Sequence, residues 1–197
     1  MTMPPKICDI LCPGTVPCCM PQTSQTPEGS QGSRNPADVK APDADETTDA
    51  GRWDDIAELW HEQVGHEGDR NRIANSDPWL WHFLGDVAGL RVLDAGCGTG
   101  YLSRKLAAAG ARVTAVDYSA GMVAIARRLS PGLDLRQGSV SELSDIPDRS
   151  VDRYVSNYVL MDAADLDGAA REMARVLVPG GIAVVVISHP CFPGDLG

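Results

Sequence analysis

A short apolar run that breaks into a glycine-rich turn constrains this chain more than any other feature. Val92-Leu93-Asp94-Ala95-Gly96-Cys97-Gly98-Thr99-Gly100 reads as a buried strand, a tight turn and a helix start. The turn needs residues without side chains, because the backbone must reverse quickly and present its N–H groups and a helix N-terminus to whatever lies above. Similar units recur downstream. Apolar patterning predicts strands at Arg91–Asp94, Arg112–Val116, Leu133–Arg136, Val151–Ser156 and Ile182–Ile187. Helices fall between them: Tyr101–Ala109 closed by Gly110, a helix capped by Ser119 and running to Arg128, and Leu166–Leu177. Pro131-Gly132 makes a turn. Alternating strands and helices imply an α/β fold, a parallel sheet with right-handed crossovers.

The acids flanking the turn narrow its ligand. Asp94 precedes the turn and Asp117 follows the second predicted strand. A carboxylate at Asp94 would repel a pyrophosphate. The glycines read G-x-G-x-G, so Tyr101 stands where the dinucleotide fingerprint needs glycine, and the phosphate-binding G-x-x-x-x-G-K-[ST] is absent. Both features oppose an NAD-dependent oxidoreductase. S-adenosylmethionine carries no phosphate but has a positive sulfonium and a positive amino group, which suit neighbouring acids. Asp117 lies where a Rossmann-like sheet places an acid to accept hydrogen bonds from ribose hydroxyls.

Three further motifs follow in order: Val116-Asp117-Tyr118-Ser119, then Gly138-Ser139-Val140 leading to Leu143 and Pro147, then Leu177-Val178-Pro179-Gly180-Gly181 before an apolar strand. On these residues the chain resembles the class I S-adenosylmethionine-dependent methyltransferases, especially the small-molecule, type 11-like branch, from about Trp53 to Phe192. The resemblance implies a Rossmann-like sheet of order 3-2-1-4-5 flanked by helices, with S-adenosylmethionine as cofactor and a small-molecule methyl acceptor as partner. It implies that Gly96, Gly98 and Gly100 admit the methionine moiety, that Asp94 orients its amino group directly or through water, and that Asp117 holds the ribose. Tyr118 and Met122 would cover the adenine faces, with Met122 equally readable as helix core. Ser139 and Val140 would border the adenine edge, Ser139 standing where the family often has an acid. Asn157 would touch the methionine carboxylate or the acceptor. Tyr158, Met161 and His189 would border the acceptor, His189 being the candidate base or simply part of a strand-ending His-Pro pair. Strand four lacks the Asp/Asn-Pro-Pro-aromatic motif used on nucleobase amino groups. Family members usually continue with two more strands, so a C-terminally truncated sheet is expected, with Ile182–Ile187 as an uncovered apolar edge. Two readings follow: methyl transfer to a small molecule, or a fragment that holds cofactor without turnover.

The net charge of −10 argues against nucleic acid as partner. No apolar run reaches the roughly 18 residues of a membrane span, and no signal peptide is evident, so a cytoplasmic protein is expected. Of six cysteines, Cys8, Cys12, Cys18 and Cys19 crowd the N-terminus without a C-x-x-C pair, and no histidine precedes His61; no metal site is expected. Cys97 reads as a packing residue. Cys191 follows Pro190 after strand five, the wrong strand for the Pro-Cys nucleophile of cytosine-C5 methyltransferases.

Residues 1–50 read as a disordered low-complexity tail, 51–90 as a helical cap and 91–197 as the cofactor domain. In the cap, Trp53, Ile56, Ala57, Trp60 and Val64 recur at helical spacing, and Gly65–Arg70 is a polar loop. Asp77-Pro78 reads as an N-cap and first helical proline, with Trp79, Leu80, Phe83 and Leu84 on the apolar side of a helix ending near Gly85. The four tryptophans (Trp53, Trp60, Trp79 and Trp81) read as core, with pocket lining as the alternative.

Overall fold

The first strand, β1 (Arg91–Ala95), buries four residues in succession, as a strand covered on both faces must. The computed structural model of the chain describes residues 46–188. It contains α1 (Glu46–Val64), a π turn (Arg72–Ser76), α2 (Asp77–Leu84), β1, α3 (Tyr101–Ala108), β2 (Arg112–Asp117), α4 (Ala120–Leu129) and β3 (Asp134–Gln137). β4 (Val151–Asn157), a 3-10 turn (Leu160–Asp162), α5 (Leu166–Val176) and β5 (Leu177–Val186) follow. The strands form one parallel sheet of order β3-β2-β1-β4-β5. The order reverses between β1 and β4, so a crevice opens at their carboxyl ends, where open α/β sheets bind ligands.

Val92, Val113, Ala115, Val155 and Val184 face one layer, against Leu80 and Leu84 of α2 and Leu102 and Leu106 of α3. Leu93, Ala95, Val116 and Tyr154 face the other, against Ala169 and Val176 of α5 and Val140, Leu143 and Ile146 of the β3–β4 connection. Each fully buried leucine contributes roughly 1.5–3 kcal/mol. α1 lies on α4 through Ala57, Met122 and Ile125.

Local signals set the helix ends. Gly110 adopts φ 87°, its N–H donates to Ala107 O, and that of Ala111 donates to Leu106 O, which is a Schellman closure. Ser119 is extended, and its side chain accepts from Met122 N at α4's start. Asp165 caps α5 in the same manner, through Gly168 N.

The cap region departs from expectation. Asp77 is no N-cap: it is already helical, preceded by the π turn, with its N–H donating to Arg72 O. Pro78 explains the irregularity, since it has no N–H for the Ala74 carbonyl and a wider turn relieves its ring. Freed from capping, the Asp77 carboxylate turns inward to accept from Tyr101 Oη and Lys105 Nζ. Trp79 and Phe83 are not on the buried side; they are half-exposed and stack on each other, because only Leu80 and Leu84 reach the sheet. α1 begins at Glu46, inside the stretch read as tail, since an anchored helix propagates readily past its first packed turn. The remaining tail, with Cys8, Cys12, Cys18 and Cys19, lies outside the described residues, as do His189 and Cys191.

β5 begins five residues earlier than expected. Val151 pairs with Leu177 and Arg153 with Ile182, so Val178–Gly181 bulge out opposite Asp152. The outer edge of β5 pairs with no strand among the described residues, and Ile182 and Val185 are exposed along it. No helix among the described residues is long and apolar enough to cross a membrane.

Candidate functional site

The cleft is built from backbone first. At the end of β1 the N–H groups of Gly96 and Cys97 both donate to Val116 O of β2, which turns the chain sharply over the sheet edge. Gly96 has φ 81°, and a Cβ there would lie 2.3 Å from Val159 Cγ2; the chain leaving β4 packs directly on this glycine. Above Gly98 there is space: a Cβ would meet only Trp60 Nε1, at 4.0 Å. The turn thus leaves room over its second glycine.

Asp117 is fixed by the same turn. Its Oδ2 accepts from Gly98 N at 2.7 Å and its Oδ1 from Ser119 N at 3.0 Å. The carboxylate is buried, yet each oxygen keeps capacity to accept a further hydrogen bond. Burial pushes its pKa up to about 6, opposed by the two backbone donors. Asp94 lies behind the turn, 1% exposed, accepting from Ser103 Oγ at 2.5 Å. Burial pushes it up to about 7, Ser103 working against the shift and the nearby Asp117 with it.

An open cleft of about 670 Å³ lies above. Gly96, Gly98, Asp117, Tyr118, Met122, Ser139, Val140 and Asn157 line it. Gly100 and Asp94 do not. Gly100 is turned toward Ala126 of α4, and Asp94 is screened by the turn; being internal to β1, Asp94 points into the sheet's cover. Met122 is both wall and core, packed with Ala57 and Ile125. Ser139 Oγ accepts from Ser141 N and closes the β3–β4 loop. Asn157 Nδ2 donates to Tyr101 Oη. Tyr158 follows with φ 60°, unusual for a tyrosine, and its hydroxyl accepts from Asn71 Nδ2. Cys97 is buried in the core and its thiol is pushed well above the ordinary range, first by burial.

Trp53 takes the pocket-lining alternative to its reading as core, while Val159, Asp162 and Ala163 carry no assignment from the sequence. Trp53, Val159, Asp162 and Ala163 complete the lining. Trp53 is brought in by α1, which is tied to α4: Asp54 Oδ1 accepts from Ser119 Oγ at 2.5 Å and from Gly121 N at 2.8 Å. Gly121 permits this approach, since a Cβ would lie 3.1 Å from Ala57 Cβ. Only the missing side chain at Gly121, facing a small Ala57 across helices, signals this in the sequence. Among the described residues, no group of three or more His, Cys, Asp or Glu side chains is placed to hold a metal.

A parallel sheet with its switch point under a glycine turn, and an acid at the end of the next strand, defines a Rossmann-like domain with its ligand crevice at the switch point. Residues 93–185 match the family model of a methyltransferase domain. The chain is 39% identical over 94 residues to the malonyl-[acyl-carrier protein] O-methyltransferase of Serratia marcescens, covering 48% of this chain and 36% of that protein. It is 39% identical over 110 residues to the demethylmenaquinone methyltransferase of Renibacterium salmoninarum, covering 55% and 46%. A crystal structure of an S-adenosylmethionine-dependent methyltransferase from Mesorhizobium loti superposes with a TM-score of 0.56 at 30% identity, covering 65% of this chain and 57% of that one. The matches span less than half the length of these curated relatives. The chain carries a class I S-adenosylmethionine-dependent methyltransferase domain, and S-adenosylmethionine is the cofactor of that class.

The residues present fit that cofactor. Both Asp117 oxygens can accept further hydrogen bonds from a diol, the space over Gly98 admits a chain, and the acids favour a cationic centre.

Proposed function

We propose that this chain transfers the methyl group of S-adenosylmethionine to a small-molecule acceptor by in-line displacement. The observation that carries the reading is the Asp117 carboxylate, held by Gly98 N and Ser119 N in a residue that lines the cleft. The cofactor supplies a sulfonium leaving group, so the protein's task is orientation rather than bond activation. Asp117 holds the ribose hydroxyls. Tyr118, Met122 and Trp53 enclose the adenine, with Ser139 and Val140 at its edge. Asn157, fixed by Tyr101, faces the methionine end. Asp94 acts from behind the turn as a buried negative charge that favours the cofactor's amino group. The acceptor's heteroatom bonds to the methyl carbon, the sulfur keeps the electrons of the broken bond, and the acceptor's proton leaves to solvent or to a base. Relatives named as a malonyl-[acyl-carrier protein] O-methyltransferase and a demethylmenaquinone methyltransferase support a small or carrier-linked acceptor.

The outer edge of β5, which pairs with no strand among the described residues, favours a second reading, in which the chain holds the cofactor without turnover. Incubation with methyl-labelled S-adenosylmethionine and a panel of phenolic, quinol and carboxylate acceptors separates them. Transfer of label with matching release of S-adenosylhomocysteine is expected. Binding without transfer to any acceptor supports the second reading.

A further inference from the structure

A second cavity lies beside the cofactor cleft. Ala57 packs α1 on Met122 and Ile125 of α4, while Arg52, Trp53 and Ile56, at helical spacing on α1, line the second cavity. It has a volume of about 780 Å³, and Met161, Asp162 and Ala163 of the chain leaving β4 form its other wall. A cavity of this size takes a small molecule. Ile56 is 41% exposed and Met161 45%. Large apolar side chains left open on both walls of one cavity, rather than scattered singly, mark a surface that a ligand covers. The Trp53 ring meets that of Trp60 edge to face at 5.1 Å, which fixes one wall.

Trp53, Asp162 and Ala163 line the cofactor cleft as well. The two cavities therefore meet along these residues, and a molecule in the second has its inner end at the cofactor. The charges differ along that axis. Asp162 stands at the junction and Asp117 lines the cofactor cleft, whereas Arg52 lines the second cavity alone. An anionic group is repelled from the junction and drawn to the guanidinium, whose paired N–H groups match a carboxylate. A hydroxyl, which donates a hydrogen bond, suits the carboxylate at the junction. Between the two ends, Trp53, Ile56 and Met161 offer walls for a flat apolar body.

We propose that the methyl acceptor is an aromatic hydroxy acid held in this second cavity, its acid group on Arg52 and its hydroxyl toward Asp162. The assignment rests on the methyl-transfer reading above and names its substrate class. The hydroxyl oxygen bonds to the methyl carbon, the sulfur keeps the electrons of the broken bond, and the hydroxyl proton leaves to solvent. Held by Arg52, the acid group stays away from the methyl donor, so the product is an ether rather than an ester.

The test is calorimetric titration of the whole chain, first with S-adenosylhomocysteine and then, with that ligand saturating, with 4-hydroxycinnamate and 4-hydroxybenzoate, each against its methyl ester. At least one acid should bind about tenfold tighter than its ester. Arg52→Met should bring that acid to within about twofold of its ester and change S-adenosylhomocysteine less than about twofold. Arg52→Glu should make the ester the tighter ligand. Arg52 is exposed, so neither change disturbs the core. With methyl-labelled S-adenosylmethionine the label should appear in an alkali-stable ether. Acids that bind no tighter than their esters, a preference that survives Arg52→Glu, or label in an alkali-labile ester overturn the assignment while leaving the cofactor site standing. A folded wild-type chain that does not bind S-adenosylhomocysteine overturns the cofactor reading itself.

Discussion

The two walls of the cleft are made differently. The sheet wall, from Gly96 to Ser119, is held by main-chain groups: Gly96 and Cys97 on Val116 O, and Gly98 and Ser119 on the Asp117 carboxylate. The cap wall, from Trp53 to Leu84, is held by side chains reaching across long sequence separations: Asp54 to Ser119 and Gly121, Tyr101 and Lys105 to Asp77, Glu58 to Arg128. A main-chain wall tolerates little, because one misplaced atom displaces every donor. A side-chain wall loses one contact at a time, so a family can vary it while the cofactor turn stays constant.

The sharpest break of this contrast is Gly96→Ala. Its Cβ would overlap Val159 and sit at a left-handed φ, so we expect a loss of about 3 kcal/mol or more in denaturant unfolding, together with loss of cofactor binding. Adding Val159→Ala should recover part of the stability. A Gly96→Ala protein of wild-type stability would show that the turn is not sterically fixed.

Asp94 tests the sheet wall electrostatically. Its carboxyl titrates near 3.8 when unfolded and near 7 when folded. The folded state therefore holds a proton that the unfolded state releases, and this burial makes the ligand-free protein lose stability as pH rises from about 4 to about 7. Asp94→Asn cannot ionise, so relative to wild type it should gain roughly 4 kcal/mol between pH 4 and pH 8 while binding cofactor less tightly. Parallel stability curves for the two proteins would contradict this placement of Asp94.

Asp117→Ala should weaken cofactor binding by roughly 1–3 kcal/mol; unchanged affinity would remove Asp117 from the ribose role. The smallest effect belongs to the cap wall. Asp54→Ala removes the acceptor for Ser119 Oγ and Gly121 N, and should cost about 1 kcal/mol. Its mark should be faster amide exchange within α1, with β1 and β2 unaffected. Uniform acceleration would mean that the cap is as integral as the sheet.

The same contrast explains what could be read without a structure. The turn, the Ser119 cap, the Gly110 closure and the sheet order are local or short-range, and β1 to β4 follow their apolar patterns to within a residue. The cap wall is not local. Asp77 beside Pro78 has every local mark of a helix start, but its carboxylate is drawn inward by Tyr101 and Lys105, some 24 to 28 residues away. Trp79 and Phe83 share helical spacing with the buried Leu80 and Leu84, and only the sheet's position decides which pair it covers. In the cleft, Asp94 and Gly100 belong to the right motif yet stand behind it. Trp53 reaches the site through α1, with no motif to mark it.

One measurement bears most directly on the central claim: calorimetric titration of the chain with S-adenosylmethionine and S-adenosylhomocysteine, with NADH as control. The account predicts micromolar binding of the first two and none of NADH. A folded chain that binds NADH but neither adenosyl ligand would contradict it.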